Sequence, residues 1–256
     1  MVTQYLVVAL LVVGAYFIGV YKTKTEYLEK GVGTAAVPAQ QQPVAKPVDI
    51  ESVNALFADE SNMVFGDRDS DLKFVEFSDT SCPYCHIAAG MNPTLNKEVG
   101  TQFTLSTDGG SYVAPVEEIR KLVEDGKAAF LWLYTPGHGN GEMGTRALYC
   151  ANEKGKFWEA HDLLMSNEGY EINNTTVKND KTKAPEMAKF LASAVDASFM
   201  ESCLTSDKYD GRITSDPGVA SSFGYGATPT FFINDKVVEG AASWTDGFAP
   251  VVEPLL

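Results

Sequence analysis

Basic residues are scarce in this 256-residue sequence, and before Lys22 there is no charged side chain of either sign. Twenty Lys and Arg against 34 Asp and Glu give a net charge of −14; the first 48 residues hold four Lys and two Glu, so the remainder carries −16. A surface so acidic repels phosphates, which excludes nucleic acid as a partner. Histidine is limited to His86, His138 and His161, and cysteine to Cys82, Cys85, Cys150 and Cys203. No second C-x-x-C and no Cys/His pair at zinc spacing accompanies the first, so a structural zinc site is excluded and no metal is expected.

The uncharged N-terminus contains a long apolar run, Tyr5 to Tyr21, whose 17 residues meet the lower limit of about 17 to 25 for a bilayer-spanning helix. Met1 to Gln4 supply no Lys or Arg for the basic region of a cleaved signal, and the run continues past the candidate cleavage point at Val13-Gly14-Ala15. Residues 1–21 are therefore expected to be an uncleaved transmembrane signal anchor. Lys22 and Lys24 pull their flank toward the cytoplasm, but long domains translocate largely regardless of so weak a bias. Residues 22–48, with Pro38, Pro43 and Pro47 and no helical or strand period, read as a flexible Pro/Ala/Gln linker. Residues 49–256 are left for a folded domain.

The chemistry is concentrated at Cys82-Pro83-Tyr84-Cys85, which follows the apolar run Leu72 to Phe77 and opens a segment able to start a helix. The first backbone N–H groups of a helix lack partners, and their partial positive charge stabilises a thiolate placed there. That makes Cys82 the attacking sulfur, and the two-residue spacing lets Cys85 close a short disulfide with it. Pro83 suits the first helical position, where a missing N–H costs nothing. Two rivals share these residues. Cys82 to His86 also reads C-x-x-C-H, the attachment signature of a c-type haem electron carrier, and Cys82, Cys85 and His86 together have the donors of a copper-delivery module.

Downstream, Thr228-Pro229 precedes the apolar run Thr230-Phe231-Phe232-Ile233. A proline cannot donate into a central ladder, so it belongs at the strand's first residue. Three blocks stand in order: Val75-Glu76-Phe77-Ser78-Asp79 leading into the Cys pair; Ala147-Leu148-Tyr149-Cys150-Ala151 with Gly155-Lys156-Phe157-Trp158; and Thr228-Pro229-Thr230-Phe231-Phe232. In these the chain resembles the DsbA-like branch of the thioredoxin superfamily over roughly residues 60 to 240. The resemblance implies an α/β thioredoxin-like fold with a helical insertion, about 142–223, between the second core strand and a cis-Pro loop that lies against the Cys pair. It also implies that Glu76, six residues before Cys82, is a buried acid that handles protons, its pKa raised by burial; a Glu76 pointing outward from an edge is the alternative. Thr228 and Pro229, with Pro83 and Tyr84, would hold the substrate chain. His86 either helps stabilise the Cys82 thiolate or is solvated.

The remaining pattern fits one domain. Asp49 to Ala58 reads as a short amphipathic helix, and a redox helix from Pro83 toward Val99 carries a kink or break at Pro93. Pro115 to Val123 is a second amphipathic helix that ends before Gly126. Ala128 to Tyr134 is a buried strand, parallel to Leu72–Phe77 because a helical crossover joins them. Ala184 to Val195 reads as helix. Phe231–Asn234 and Lys236–Glu239 read as a hairpin, followed by a last helical piece around 243–252. Cys150 and Cys203 are expected to form a structural disulfide, because the redox motif suits an oxidising compartment and only these two remain; two small buried hydrophobes are the alternative. Asn173-Asn174-Thr175-Thr176 satisfies the glycosylation pattern.

The expected function is that of a membrane-anchored, extracytoplasmic thiol:disulfide oxidoreductase acting on cysteine-containing proteins through the Cys82/Cys85 pair. Its only redox group is that disulfide, with no bound cofactor. An oxidase reoxidised by a membrane partner is favoured over an isomerase or a reductase using the same site.

Overall fold

The computed structural model describes residues 48–256. Helix α1, Ile50–Ala58, begins at Asp49, whose side chain accepts from Ser52 N, and buries Val53 and Phe57. The short strand β1, Val64–Phe65, is followed by β2, Lys73–Ser78, and then by helices α2, Pro83–Ala89, and α3, Pro93–Val99. Helix α4, Pro115–Glu124, crosses to β3, Ala129–Tyr134. Six helices come next: α5, Glu142–Asn152; α6, Phe157–Leu164; α7, Asn167–Glu171; α8, Ala184–Phe190; α9, Ala197–Thr205; and α10, Asp210–Ser222. Strands β4, Thr230–Ile233, and β5, Lys236–Glu239, form a hairpin, and α11, Ala249–Val252, follows them.

The strands make one sheet in the order β1-β3-β2-β4-β5, with β2 and β3 parallel and every other pair antiparallel. All residues of β2 and β3 are buried, as expected of central strands covered on both faces. Alternation sorts them. Phe74 shares a face with Phe130, Trp132, Phe231 and Ile233, beneath Ile87 and Ala88 of α2. Val75 and Phe77 face the other way, onto Val53 and Phe57 of α1, Ala220 of α10 and Phe223 just after it. Phe77 meets Phe232 edge-on at 5.3 Å between centroids. Glu76 and Ser78, at alternate positions from Phe74, are thereby directed under α2.

Several elements differ in extent from what the sequence pattern suggests. The redox helix ends at Gly90, in the left-handed conformation (φ 77°), and α3 restarts with Asn92 as its cap, so there is a full break rather than a kink at Pro93. Helix α8 ends at Phe190, five residues short of Val195, although Leu191 and Val195 remain buried. Apolar spacing therefore continued past the hydrogen-bonded helix. Strand β1 was not foreseen, because two residues are too short to display a period. At the hairpin, Asn234 takes φ 53°, the left-handed backbone that a tight turn requires. Its amide also binds β2: Lys73 N donates to Asn234 Oδ1 and Asn234 Nδ2 donates to Asp71 O.

Among the described residues no helix is long and apolar enough to cross a membrane. The anchor expected over 1–21 lies outside the described residues, as does all of the expected linker except Val48.

Cys150 and Cys203 are bonded, joining α5 to α9 across a sequence separation of 53. Loop closure of that length stabilises by about 4 kcal/mol in the chain-entropy description. Replacing both cysteines with Ala is expected to lower the urea midpoint by an amount equivalent to about 4 kcal/mol. A midpoint within error of the parent would show that the bond adds nothing to the fold.

Candidate functional site

The site is built where β2 gives way to α2. Cys82 is the cap residue of α2, with extended backbone (φ −79°, ψ 123°) and Pro83 at the first helical position. Its carbonyl accepts from Cys85 N and His86 N, and its N–H is held by Asp79 O at 3.0 Å. Cys82 is 5% exposed and Cys85 fully buried, and both are free thiols. The Cys85 thiol, hydrogen-bonding to Cys82, brings the Cys82 pKa down to about 6, and the backbone N–H groups of Cys85 and Tyr84 act in the same direction against burial. Burial pushes Cys85 the other way, well above the ordinary thiol range, and the nearby Cys82 and Glu76 add to the effect. Its Sγ accepts from Asp79 N at 3.4 Å. One sulfur is thus disposed to be a thiolate and the other a thiol.

Opposite Cys82 stands the loop entering β4. The Thr228-Pro229 peptide bond is cis, and Thr228 O lies 3.5 Å from Cys82 Sγ. Pro229 is buried, and its carbonyl accepts from Gly240 N at 2.8 Å, fixing the loop to the end of the hairpin. Pro83 is half-buried. Tyr84 is 45% exposed beside the motif, its ring edge-on to Phe103 at 6.0 Å. Cys82, Cys85, Pro83, Tyr84, Thr228 and Pro229 are therefore brought to one place from segments more than 140 residues apart in sequence.

Glu76 is buried, not turned outward: it sits in the middle of a central strand, across from Trp132 of β3 and Phe231 of β4. Burial raises its pKa to about 7. Among the described residues, one carboxylate oxygen, Oε2, has no hydrogen-bond partner. An acid that is half protonated near neutrality is a competent proton donor and acceptor.

His86 corrects both expectations made for it. It is neither solvated nor turned to the Cys82 sulfur. The ring is fully buried, with Nδ1 2.8 Å from Met165 O and Nε2 2.9 Å from Thr80 O, and its edge meets Tyr170. Burial drives its pKa down to about 4, against the pull of the two carbonyls. The reason is position: one residue past Cys85 on α2, it faces the helical insertion rather than the cleft. The asparagines of the glycosylation pattern are hydrogen-bonded to the Cys82 loop. Asn173 is buried, its Nδ2 donating to Thr80 O and Gly169 O, while Asn174 Nδ2 donates to Ser81 O and Tyr170 O. Both sit in the π-helical turn Ile172–Val177 and brace the Cys82 loop from outside.

Asp79 is the residue the sequence reading passed over. It is fully buried and accepts four hydrogen bonds, from Ser81 N, Ser81 Oγ, Gly137 N and His138 N. The available signal was the polar run Ser78 to Ser81 standing between an apolar strand and an apolar helix, where solvated loop and buried network look alike. His161 is buried beside Phe157 and Trp158.

Comparison with known proteins agrees with this arrangement. The thioredoxin family profile matches residues 113–249, just over half of the chain. The chain belongs to the thioredoxin family, and its sheet with a helical insertion has the DsbA-like form of that fold. Among solved structures it is similar to a thioredoxin-like oxidoreductase from Silicibacter pomeroyi (TM-score 0.51, 20% identity, 78% of this chain and 95% of that one). Similar too are alpha-DsbA1 of Wolbachia pipientis (0.55, 17%, 77% and 91%) and oxidised BdbD of Bacillus subtilis (0.50, 18%, 83% and 95%). Among curated sequences it is 25% identical over 177 residues to the Na(+)/H(+) antiporter NhaA 3 of Salinispora tropica, which is 68% of this chain and 22% of that protein. The chain spans about a fifth of the length of that relative.

The Glu76 environment has a signed consequence. Its pKa is raised from 4.5 to about 7 in the folded protein, so folding is unaffected by this carboxyl below about pH 4.5, where both states hold the proton. Stability falls as pH rises from about 4.5 to about 7, where the unfolded carboxyl gives up its proton and the buried one keeps it, by on the order of 3 kcal/mol in all. Glu76→Gln is expected to be more stable than the parent at pH 8, with the difference closing toward pH 4.5, in urea titrations of the two proteins side by side. Parallel pH profiles would mean that Glu76 ionises without penalty.

Proposed function

We propose that this protein is an extracytoplasmic thiol:disulfide oxidoreductase that gives its Cys82–Cys85 disulfide to cysteine-containing proteins. The observation that carries the reading is the inequality of the two sulfurs: Cys82 has a pKa near 6 beside Thr228 O, and Cys85 is a buried thiol held far above the ordinary range. A substrate thiolate attacks Cys82 Sγ, the S–S bond breaks, and Cys85 leaves as a thiolate that takes a proton from the Glu76 carboxyl. A second substrate thiolate then attacks its own mixed disulfide, and the Cys82 thiolate departs. Two electrons have passed from the substrate to the Cys pair, and a membrane partner would take them on. The backbone of Thr228, half-buried beside Cys82, would pair with the substrate chain as an added strand.

Donation is favoured over reduction because a thiolate stabilised at pH 7 favours the dithiol form and makes the disulfide a stronger oxidant. The Cys150–Cys203 bond supports an oxidising compartment, and the apolar run Tyr5 to Tyr21 supports attachment to the membrane. Haem attachment and copper delivery through Cys82 to His86 are disfavoured: both ring nitrogens of His86 are engaged with backbone carbonyls inside the protein. Ion transport is not carried over from the antiporter relative, since the shared stretch is 22% of it.

Equilibration of the Cys82/Cys85 couple with glutathione tests the reading. A potential nearer about −120 mV than about −270 mV is expected, with oxidation of a reduced test protein that disappears in Cys82→Ser. Turnover surviving that substitution would refute the mechanism, and a potential near the lower value would assign the site to reduction.

A further inference from the structure

The carboxylate of Asp79 joins two turns. Oδ1 accepts from Ser81 N and Ser81 Oγ, each at 2.7 Å, in the turn that carries Cys82. Oδ2 accepts from Gly137 N at 2.7 Å and His138 N at 2.9 Å, in the turn that leaves β3. Asn140 N adds a bond to Ser81 Oγ at 3.2 Å, and Asn179 Nδ2 holds Gly139 O at 2.9 Å. The carboxylate also lies against Gly141, the cap of α5, where a Cβ would fall 1.8 Å from Asp79 Oδ1. The positive end of that helix favours an anion there.

The outcome is a close approach. Pro136, Gly137, His138 and Gly139 are exposed on their outer side. On the inner side a Cβ added to Gly137 would lie 1.8 Å from Thr228 Oγ1 and 3.5 Å from Cys82 Cβ. Only backbone fits, so the turn packs directly against Thr228 and beside the Cβ of Cys82. With Thr228 on one side and the Tyr84 end of α2 on another, it closes a third side of the cleft.

The geometry points to the turn 136–139 as a wall on which a substrate polypeptide leans while joined to Cys82, and to Asp79 as the positioning residue that sets that wall. The inference rests on the thiol-exchange reading above and specifies its substrate contact. A tripeptide thiol meets the sulfur without spanning the cleft, whereas a polypeptide continues past Cys82 in both directions and must pass the turn. An Asn at 79 could not substitute: its single carbonyl can serve either the Ser81 donors or the Gly137 and His138 donors, and its amide N–H groups face whichever pair remains. The tie between the two turns is cut in either orientation.

Steady-state exchange measured with glutathione and with a reduced, unstructured polypeptide carrying one cysteine pair decides the matter. Asp79→Asn is expected to lower kcat/KM for the polypeptide about tenfold more than for glutathione, chiefly through KM. His138→Asp changes only the exposed side of the turn and leaves the His138 N–H in place; it is expected to alter the polypeptide KM selectively, and it decides alone should Asp79→Asn fail to fold. Equal losses toward both substrates in Asp79→Asn, or an unchanged polypeptide KM in His138→Asp, overturn the proposal. A parent protein that exchanges with neither substrate overturns the thiol-exchange reading instead, and this inference with it.

Discussion

The structure depends on where one sulfur sits relative to the amino end of one short helix. Cys82 caps α2, which places it at the helix end whose backbone N–H groups have no helical partner, and the Cys85 thiol one turn on lowers its pKa further. Everything nearby serves that placement. β2 delivers the chain to the helix, Gly90 ends the helix one turn past the pair, and the face of β2 beneath it carries Phe74 with Glu76 and Ser78. The buried carboxyl under α2 is costly to ionise, and that cost is what brings its pKa into the range where protons are exchanged at neutral pH.

The second constraint is how many polar groups are buried around a loop of three residues. Asp79, Thr80 and Ser81 are all inaccessible, and they are satisfied by the Gly137 turn, by His86 and by the turn at 172–177. Asp79 takes the Gly137 turn, Thr80 O takes His86 and Asn173, and Ser81 O takes Asn174. A loop tied on so many sides has little freedom, which keeps Cys82 opposite Thr228. The helical insertion therefore acts as the brace of the redox loop as well as a cover for the sheet.

Much of this was legible in the sequence, for identifiable reasons. The central strands read clearly because they are continuous apolar runs, and the parallel pairing followed from the helix between them. The Cys pair and Thr228-Pro229 were legible because each is a short motif with a mechanical meaning. His86 was misjudged because adjacency to Cys85 in sequence says nothing about which side of a helix turns to the cleft. Asp79 and the Asn173-Asn174 pair escaped because their partners lie about 60 and 93 residues away, and polar residues in a loop carry no period that marks burial. The π-helical turn at 172–177 was hidden for the same reason: its sequence reads as polar surface.

The most direct measurement is the ultraviolet absorbance of the thiolate in the reduced protein, followed from acid to alkaline pH. The account predicts a one-thiol step with a midpoint near 6, absent from Cys82→Ser, while Cys85 stays silent until far higher pH. A single step near the ordinary thiol value of about 8.5, or one that persists without Cys82, would contradict it.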